Sequence, residues 1–157
     1  MLSKTISGLS RWYYYRQPSA LNPKNGLSRD DGFDWKATDD DPYFSVKPLK
    51  GPMPQGWYML EVSVRSSAPS LDGRLYFNTG QGYTEDQAFK LPLKSGRLFK
   101  KIVYFDRKVN SLRFDPCTGP TKFTVEHFCF CKLTAGKARS LMVNKVKRWH
   151  PEYKLKA

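Results

Sequence analysis

The sequence predicts an antiparallel β-sandwich, jelly-roll in style, with a short helix at each end. Three observations predict it. Seven or eight short runs alternate apolar and polar residues at spacings of about ten residues, the pattern of strands joined by turns. Aromatic residues make up 15% of the chain and sit in those period-two runs, where a pleated surface favours them. Eleven Gly and eleven Pro punctuate the runs, and no helical periodicity separates them. At 157 residues the chain has room for one domain with a real core. The predicted division is an N-terminal helix and linker over 1–32, a sandwich over 33–133, and a basic helix and tail over 134–157.

Residues 2–15 fit a short helix, because Leu2, Ile6, Leu9 and Tyr13 share one face at helical spacing. Residues 17–32 are rich in Pro, Asn, Gly, Ser and Asp and read as a linker. Tyr43 to Val46 is the first strand. Trp57 to Arg65 is the clearest one, with Tyr58, Leu60, Val62 and Val64 on one face. Ser66 to Gly73 reads as a connection, since Asp72-Gly73 is a turn signal. Arg74 to Asn78 follows, then Ala88 to Leu93, where Pro92 suggests an edge. Arg97 to Phe105 and Val109 to Asp115 come next. In the last strand, Lys122 to Leu133, Phe123 and Val125 lie on one phase and Phe128 and Phe130 on the other. That slip predicts a β-bulge near Glu126-His127. Residues 134–149 read as a helix with Ala138, Leu141, Met142 and Trp149 on one stripe, stopped by Pro151.

Leu75-Tyr76-Phe77-Asn78-Thr79-Gly80-Gln81-Gly82-Tyr83-Thr84-Glu85 runs from a strand into an exposed loop, because Asn and Gly accept the backbone of a turn. A polar and aromatic surface of this kind suits a sugar. Sugars stack their CH faces on rings and need planar amide or carboxylate partners for their hydroxyls. Trp35, Tyr76 and Tyr83, with Trp57 unless it is core, supply rings. Asn78, Gln81, Glu85 and Asp115 supply polar groups. For Asp115 a purely structural role is open as well, in a turn or paired with Arg113.

The series Asp39-Asp40-Asp41-Pro42-Tyr43-Phe44, Gly56-Trp57-Tyr58, Leu75 to Glu85, Leu91-Pro92-Leu93 and Leu112-Arg113-Phe114-Asp115-Pro116 occurs in that order. It resembles the β-sandwich domain in front of the catalytic domain of many bacterial glycosyltransferases for surface polysaccharide, over residues 33–133. The family more often has Asp where Asn78 stands, and Gly where Thr121 follows Pro120. The resemblance implies a carbohydrate-binding-module-like accessory domain that binds or orients a glycan acceptor and brings no catalytic residues. Its implied partners are the glycan and a glycosyltransferase catalytic domain, and the implied location is cytoplasmic, at the inner membrane face. The alternatives are a structural or protein-docking scaffold without its own ligand, and binding of the basic tail to anionic membrane or nucleic acid.

Enzyme chemistry is not expected. His127 and His150 are the only histidines, and neither lies in a nucleophile motif. No phosphate loop or zinc signature appears, so no cofactor or metal is expected. Cys129-Phe130-Cys131 is neither a redox nor a zinc spacing, and reduced, partly buried thiols are the expectation for all three cysteines. Asp34, Asp39, Asp40 and Asp41 offer oxygens for calcium, but their spacing is not that of an EF-hand, and a capped turn with solvated acids is the expectation. Net charge is +13, yet residues 132–157 hold eight basic residues and one acid, a net +7. This fits a tail that meets an anionic surface, phospholipid, an acidic partner or, as runner-up, nucleic acid, whose phosphates Lys137, Arg139, Lys145, Lys147, Arg148, Lys154 and Lys156 would track. Nucleic acid is not expected, because no stacking platform of an RNA-binding fold accompanies the charge. No run reaches the length of a membrane span, and no apolar leader segment opens the chain.

Overall fold

Two antiparallel sheets face each other and bury the alternating apolar positions between them. The structure, a computed structural model, describes residues 21–38, 41–46 and 51–149, together with the backbone of 12–16. The strands are β1 (Trp12–Arg16), β2 (Leu21–Asn25), β3 (Leu27–Arg29), β4 (Trp35–Ala37), β5 (Tyr43–Val46) and β6 (Gly56–Ser66). They continue with β7 (Ser70–Asn78), β8 (Ala88–Lys94), β9 (Leu98–Phe105), β10 (Ser111–Asp115) and β11 (Thr121–Leu133). A single 3₁₀ turn covers Glu85–Gln87, and α1 (Ala135–Trp149) follows the last strand. One sheet runs β3-β4-β11-β6-β9, with β1 also paired to β11. The other runs β2-β5-β10-β7-β8.

The long β6 and β11 form the spine of the first sheet, paired from Phe123 opposite Ser66 to Leu133 opposite Trp57. The register shifts between Val125 and His127, at the expected bulge. The shift keeps Phe123, Val125, Phe128 and Phe130 all in the core, each 3% exposed or less. Without it the second pair of phenylalanines would face outward, because strand side chains alternate. From the second sheet, Phe44, Leu75, Leu91, Leu93, Leu112 and Phe114 point inward to meet them. Aromatic contacts cross the layers. Phe114 lies 5.2 Å from Phe128, and Phe44 meets Phe123 edge-on at 6.2 Å. Tyr58 is also fully buried, so its hydroxyl needs a partner; it donates to the Pro54 carbonyl at 2.6 Å.

Several expectations need correction. Trp12–Arg16, expected at the end of a helix, is a strand whose backbone pairs with Cys129–Lys132. Residues 1–11 lie outside the described residues. The expected linker over 17–32 contains β2 and β3, one in each sheet, so the sandwich takes in residues before Phe33. Asp72-Gly73 is not a turn but the middle of β7. Gly73 is there because a Cβ would meet the Leu91 carbonyl at 3.2 Å and Leu93 Cδ1 at 3.1 Å. The helix α1 has the expected extent. Of its stripe only Ala138 is buried, while Trp149 is 66% exposed, with Lys145 Nζ 4.9 Å from its ring centre. No helix among the described residues is long and apolar enough to cross a membrane.

Candidate functional site

The outward face of the second sheet carries the polar and aromatic residues. Tyr43 and Ser45 of β5, Ser111, Arg113 and Asp115 of β10, and Arg74, Tyr76 and Asn78 of β7 occupy the outward positions. The register sets Arg113 between Ser45 and Tyr76, and Asp115 opposite Arg74.

Arg113 is the centre of this face. Its Nε and Nη2 donate to the two oxygens of Asp115, each at 2.8 Å, and Nη2 also donates to Asp41 Oδ1 at 2.6 Å. The guanidinium lies 4.0 Å from the Tyr43 ring centre and 5.2 Å from that of Tyr76. Paired carboxylates and aromatic faces are what a guanidinium plane prefers. Burial pushes the Asp115 carboxyl above its ordinary pKa, against the pull of Arg113. The bonds to Asp115 push Arg113 up in turn. Beside them, Glu85 accepts from Arg74 Nη1 at 2.8 Å and from the Tyr76 hydroxyl at 2.9 Å. Burial, then the Glu85 hydrogen bond, raises the Tyr76 phenol.

These groups wall an open depression of about 360 Å³ lined by Asp41, Asp72, Arg74, Tyr76, Glu85, Asp115, Cys117 and Thr118. That volume lies in the range of small-molecule sites. Two arginines take up three of its four carboxylates, so the acids on this face are arranged around guanidinium groups. Asp41, expected as a solvated acid, is one of them; Asp39 and Asp40 lie outside the described residues.

Of the residues singled out from sequence, the structure brings Tyr76, Glu85 and Asp115 together at the depression. Asn78 and Tyr83 stand at one side of the same face. Asn78 Oδ1 accepts from the Gly80 and Gly82 amides at 2.8 and 3.0 Å, and Tyr83 shares a 2.9 Å hydrogen bond with Ser111. Gln81 is exposed in the loop between them. Trp35 belongs to β4 in the other sheet. It packs edge-on against Phe44 at 5.4 Å with the Arg29 guanidinium over its ring, and it does not join this group. Trp57 packs against Tyr104, also on the first sheet, with ring centres 4.8 Å apart and planes tilted by 51°. Sequence reasoning missed Tyr43, Asp41 and Arg74 as members. The alternation of Asp41, Tyr43 and Ser45 with buried Pro42, Phe44 and Val46 is the signal that points them outward.

No family model matches the chain, and no curated protein matches it. Solved structures similar to it include carbohydrate-binding modules. One is a family 29 module from Piromyces equi, 14% identical, covering 81% of this chain and 93% of that one at a TM-score of 0.48. Another is a mutant of a second family 29 module, 13% identical, covering 80% and 92% at 0.47. A third is the ligand-free BiXyn10A CBM1, 11% identical, covering 79% and 90% at 0.46. At these values the likeness assigns no binding residue, and function has to be read from this chain's own side chains.

Proposed function

We propose that this chain is a non-catalytic carbohydrate-binding module that holds a glycan on the outward face of its second sheet. One observation carries the reading. The Tyr76 ring lies in an open depression among planar carboxylate and guanidinium groups held in place by one another. Sugar hydroxyls are bound by such planar groups in pairs, and a neighbouring ring takes the CH face. Arg113 holds Asp115 of the lining in place through two hydrogen bonds. The Arg74–Glu85 pair has side chains 38% and 71% exposed, so water already competes for it, and ligand hydroxyls can replace its bonds at little cost.

The finer reading is an accessory domain to a bacterial glycosyltransferase for surface polysaccharide, which presents the glycan acceptor to a catalytic domain. It is supported by the five ordered motifs from Asp39 to Pro116. The basic segment 132–157 would rest on anionic lipid at the cytoplasmic membrane face, as its +7 charge favours. A scaffold without a ligand is favoured by a different observation: arginines already take up three of the four carboxylates at the depression.

The test is a glycan-array screen of the full chain at about 0.15 M salt, which damps loose charge contacts. Tyr76→Ala and Glu85→Gln are screened beside it. Binding of one oligosaccharide class, lost in Tyr76→Ala, supports the module. Absence of binding to any sugar, including surface polymers, leaves the scaffold.

A further inference from the structure

On the opposite side of the sandwich, the outward face of the first sheet carries a second cluster. Cys129 pairs directly with Glu61 across β11 and β6, and His127 pairs with Ser63. The bulge at Glu126 turns His127, Cys129 and Cys131 outward, while Phe128 and Phe130 keep the core. Bulges often re-aim a side chain in this way next to functional sites.

Three atoms converge there. His127 Nε2 lies 3.1 Å from Glu61 Oε1. Cys129 Sγ lies 3.4 Å from Glu61 Oε1 and 3.4 Å from His127 Nε2. A zinc ion with ordinary bond lengths to S, N and O separates tetrahedral ligand atoms by about 3.4–3.6 Å. The triangle is thus within a few tenths of an ångström of a metal's coordination face.

The same distances argue against a nucleophile relay. In a Cys-His-acid relay the histidine uses one ring nitrogen for the thiol and the other for the carboxylate. Here Nε2 faces both. Three donor atoms within 3.4 Å of one another have the mutual spacing of ligands around one ion.

We propose that Glu61 Oε1, His127 Nε2 and Cys129 Sγ form a binding site for a divalent transition metal of the zinc type, with Cys131 Sγ 3.9 Å from Cys129 Sγ beside them and water, that thiol or an outside donor in the fourth position. The donor set of one thiolate, one imidazole and one carboxylate selects a borderline-soft ion over calcium or magnesium, which take oxygens. Metal binding releases the Cys129 thiol proton to solvent. Glu61 Oε2 lies 3.9 Å from Lys100 Nζ, while Oε1 faces His127 and Cys129. Both ligand strands are central in their sheet, so the triangle is held by rigid backbone. Cys129 is fully buried, whereas the His127 side chain is 42% exposed and gives the ion a way in.

The experiment uses the full chain, stripped with chelator and kept reduced. Zinc is titrated calorimetrically, and cobalt is added as a spectroscopic probe. One equivalent should bind. Cobalt should give a thiolate-to-metal charge-transfer band with the visible bands of a tetrahedral site. Cys129→Ser should abolish that band, and His127→Asn should weaken zinc binding by at least about tenfold. His127→Asn changes a half-exposed side chain, so it remains informative if Cys129→Ser fails to fold. His150→Gln, which removes the other histidine, should change nothing. Absence of the thiolate band overturns the proposal. So does zinc binding that survives both variants unchanged, or a band that disappears in Cys131→Ser but persists in Cys129→Ser.

Discussion

Arg113 and Asp115 stand two residues apart on β10, and their side chains are joined by two parallel hydrogen bonds of 2.8 Å. Residues two apart on a strand share a face, and only the long, forked Arg side chain can span that interval and meet both carboxylate oxygens. Asp115 is 8% exposed, so removing its partner strands a buried charge.

Arg113→Met should therefore destabilise the protein by about 2–3 kcal/mol. This is less than the 3–5 typical of a broken, fully buried pair, because the Arg113 side chain remains 20% exposed. Arg113→Met combined with Asp115→Leu should lose less than the two single variants added, since no unpaired charge is left. Urea denaturation of the four proteins gives the coupling directly. A single variant within about 0.5 kcal/mol of the parent would mean that the pair is only a surface contact.

Cys117 gives a pH prediction. Burial, opposed by an amide hydrogen bond from Gly119, raises its thiol from 9.0 to about 11. Between those values the unfolded thiol ionises while the folded one keeps its proton. The folded state then binds more protons, so stability falls as pH rises through this window. The slope is about 1.4 kcal/mol per pH unit, and the contribution is intact below pH 9. Cys117→Ala should lose less stability than the parent between about pH 8 and 10.5, by about 1–3 kcal/mol, in denaturation under reductant. Equal losses in the two proteins would show that other groups govern the alkaline limb.

The parts of the fold that were legible are those written in local alternation. Tyr58, Leu60, Val62 and Val64 announce β6. The switch of phase from Val125 to Phe128 announces the bulge. The Arg113–Asp115 pair was open to reading because both residues lie on one short strand. What was hidden depends on pairing across long sequence separations. Trp12–Arg16 is a strand because it finds Cys129–Lys132, and tertiary pairing overrides the helical spacing of Leu9 and Tyr13. Trp35 left the predicted ring set because β4 pairs into the other sheet, which no local pattern reveals. Glu61 meets His127 and Cys129 across a separation of 66 and 68 residues, so only the strand register discloses the cluster.

Gly73 offers a test of close packing between β7 and β8. Its backbone is not in the left-handed region, so Ala is acceptable conformationally. The new methyl would meet Leu91 O at 3.2 Å, Leu91 Cβ at 3.3 Å and Leu93 Cδ1 at 3.1 Å. Leu93 can shift its side-chain end, but the backbone carbonyl cannot move without disturbing the ladder. Gly73→Ala should cost about 1–3 kcal/mol and lower the thermal midpoint. An unchanged midpoint would mean that the two strands separate easily, and that Gly73 marks flexibility and not contact.

Asn78 separates a structural role from a ligand role. Its side-chain oxygen accepts the Gly80 and Gly82 amides, and both glycines adopt positive φ, +126° and +78°. Those bonds shape the loop that leads to Tyr83 and Glu85. Asn78→Asp keeps an oxygen acceptor and adds a charge that the two N–H groups favour, so stability should hold or rise slightly. Asn78→Ala leaves both amides without this partner and should cost about 1–2 kcal/mol. Hydrogen exchange at Gly80 and Gly82 should quicken in the Ala variant alone. If glycan affinity follows that exchange, falling in Asn78→Ala and holding in Asn78→Asp, Asn78 acts by positioning Tyr83 and Glu85. If affinity collapses in Asn78→Asp while exchange stays slow, the amide nitrogen itself touches the sugar, and the positioning account fails.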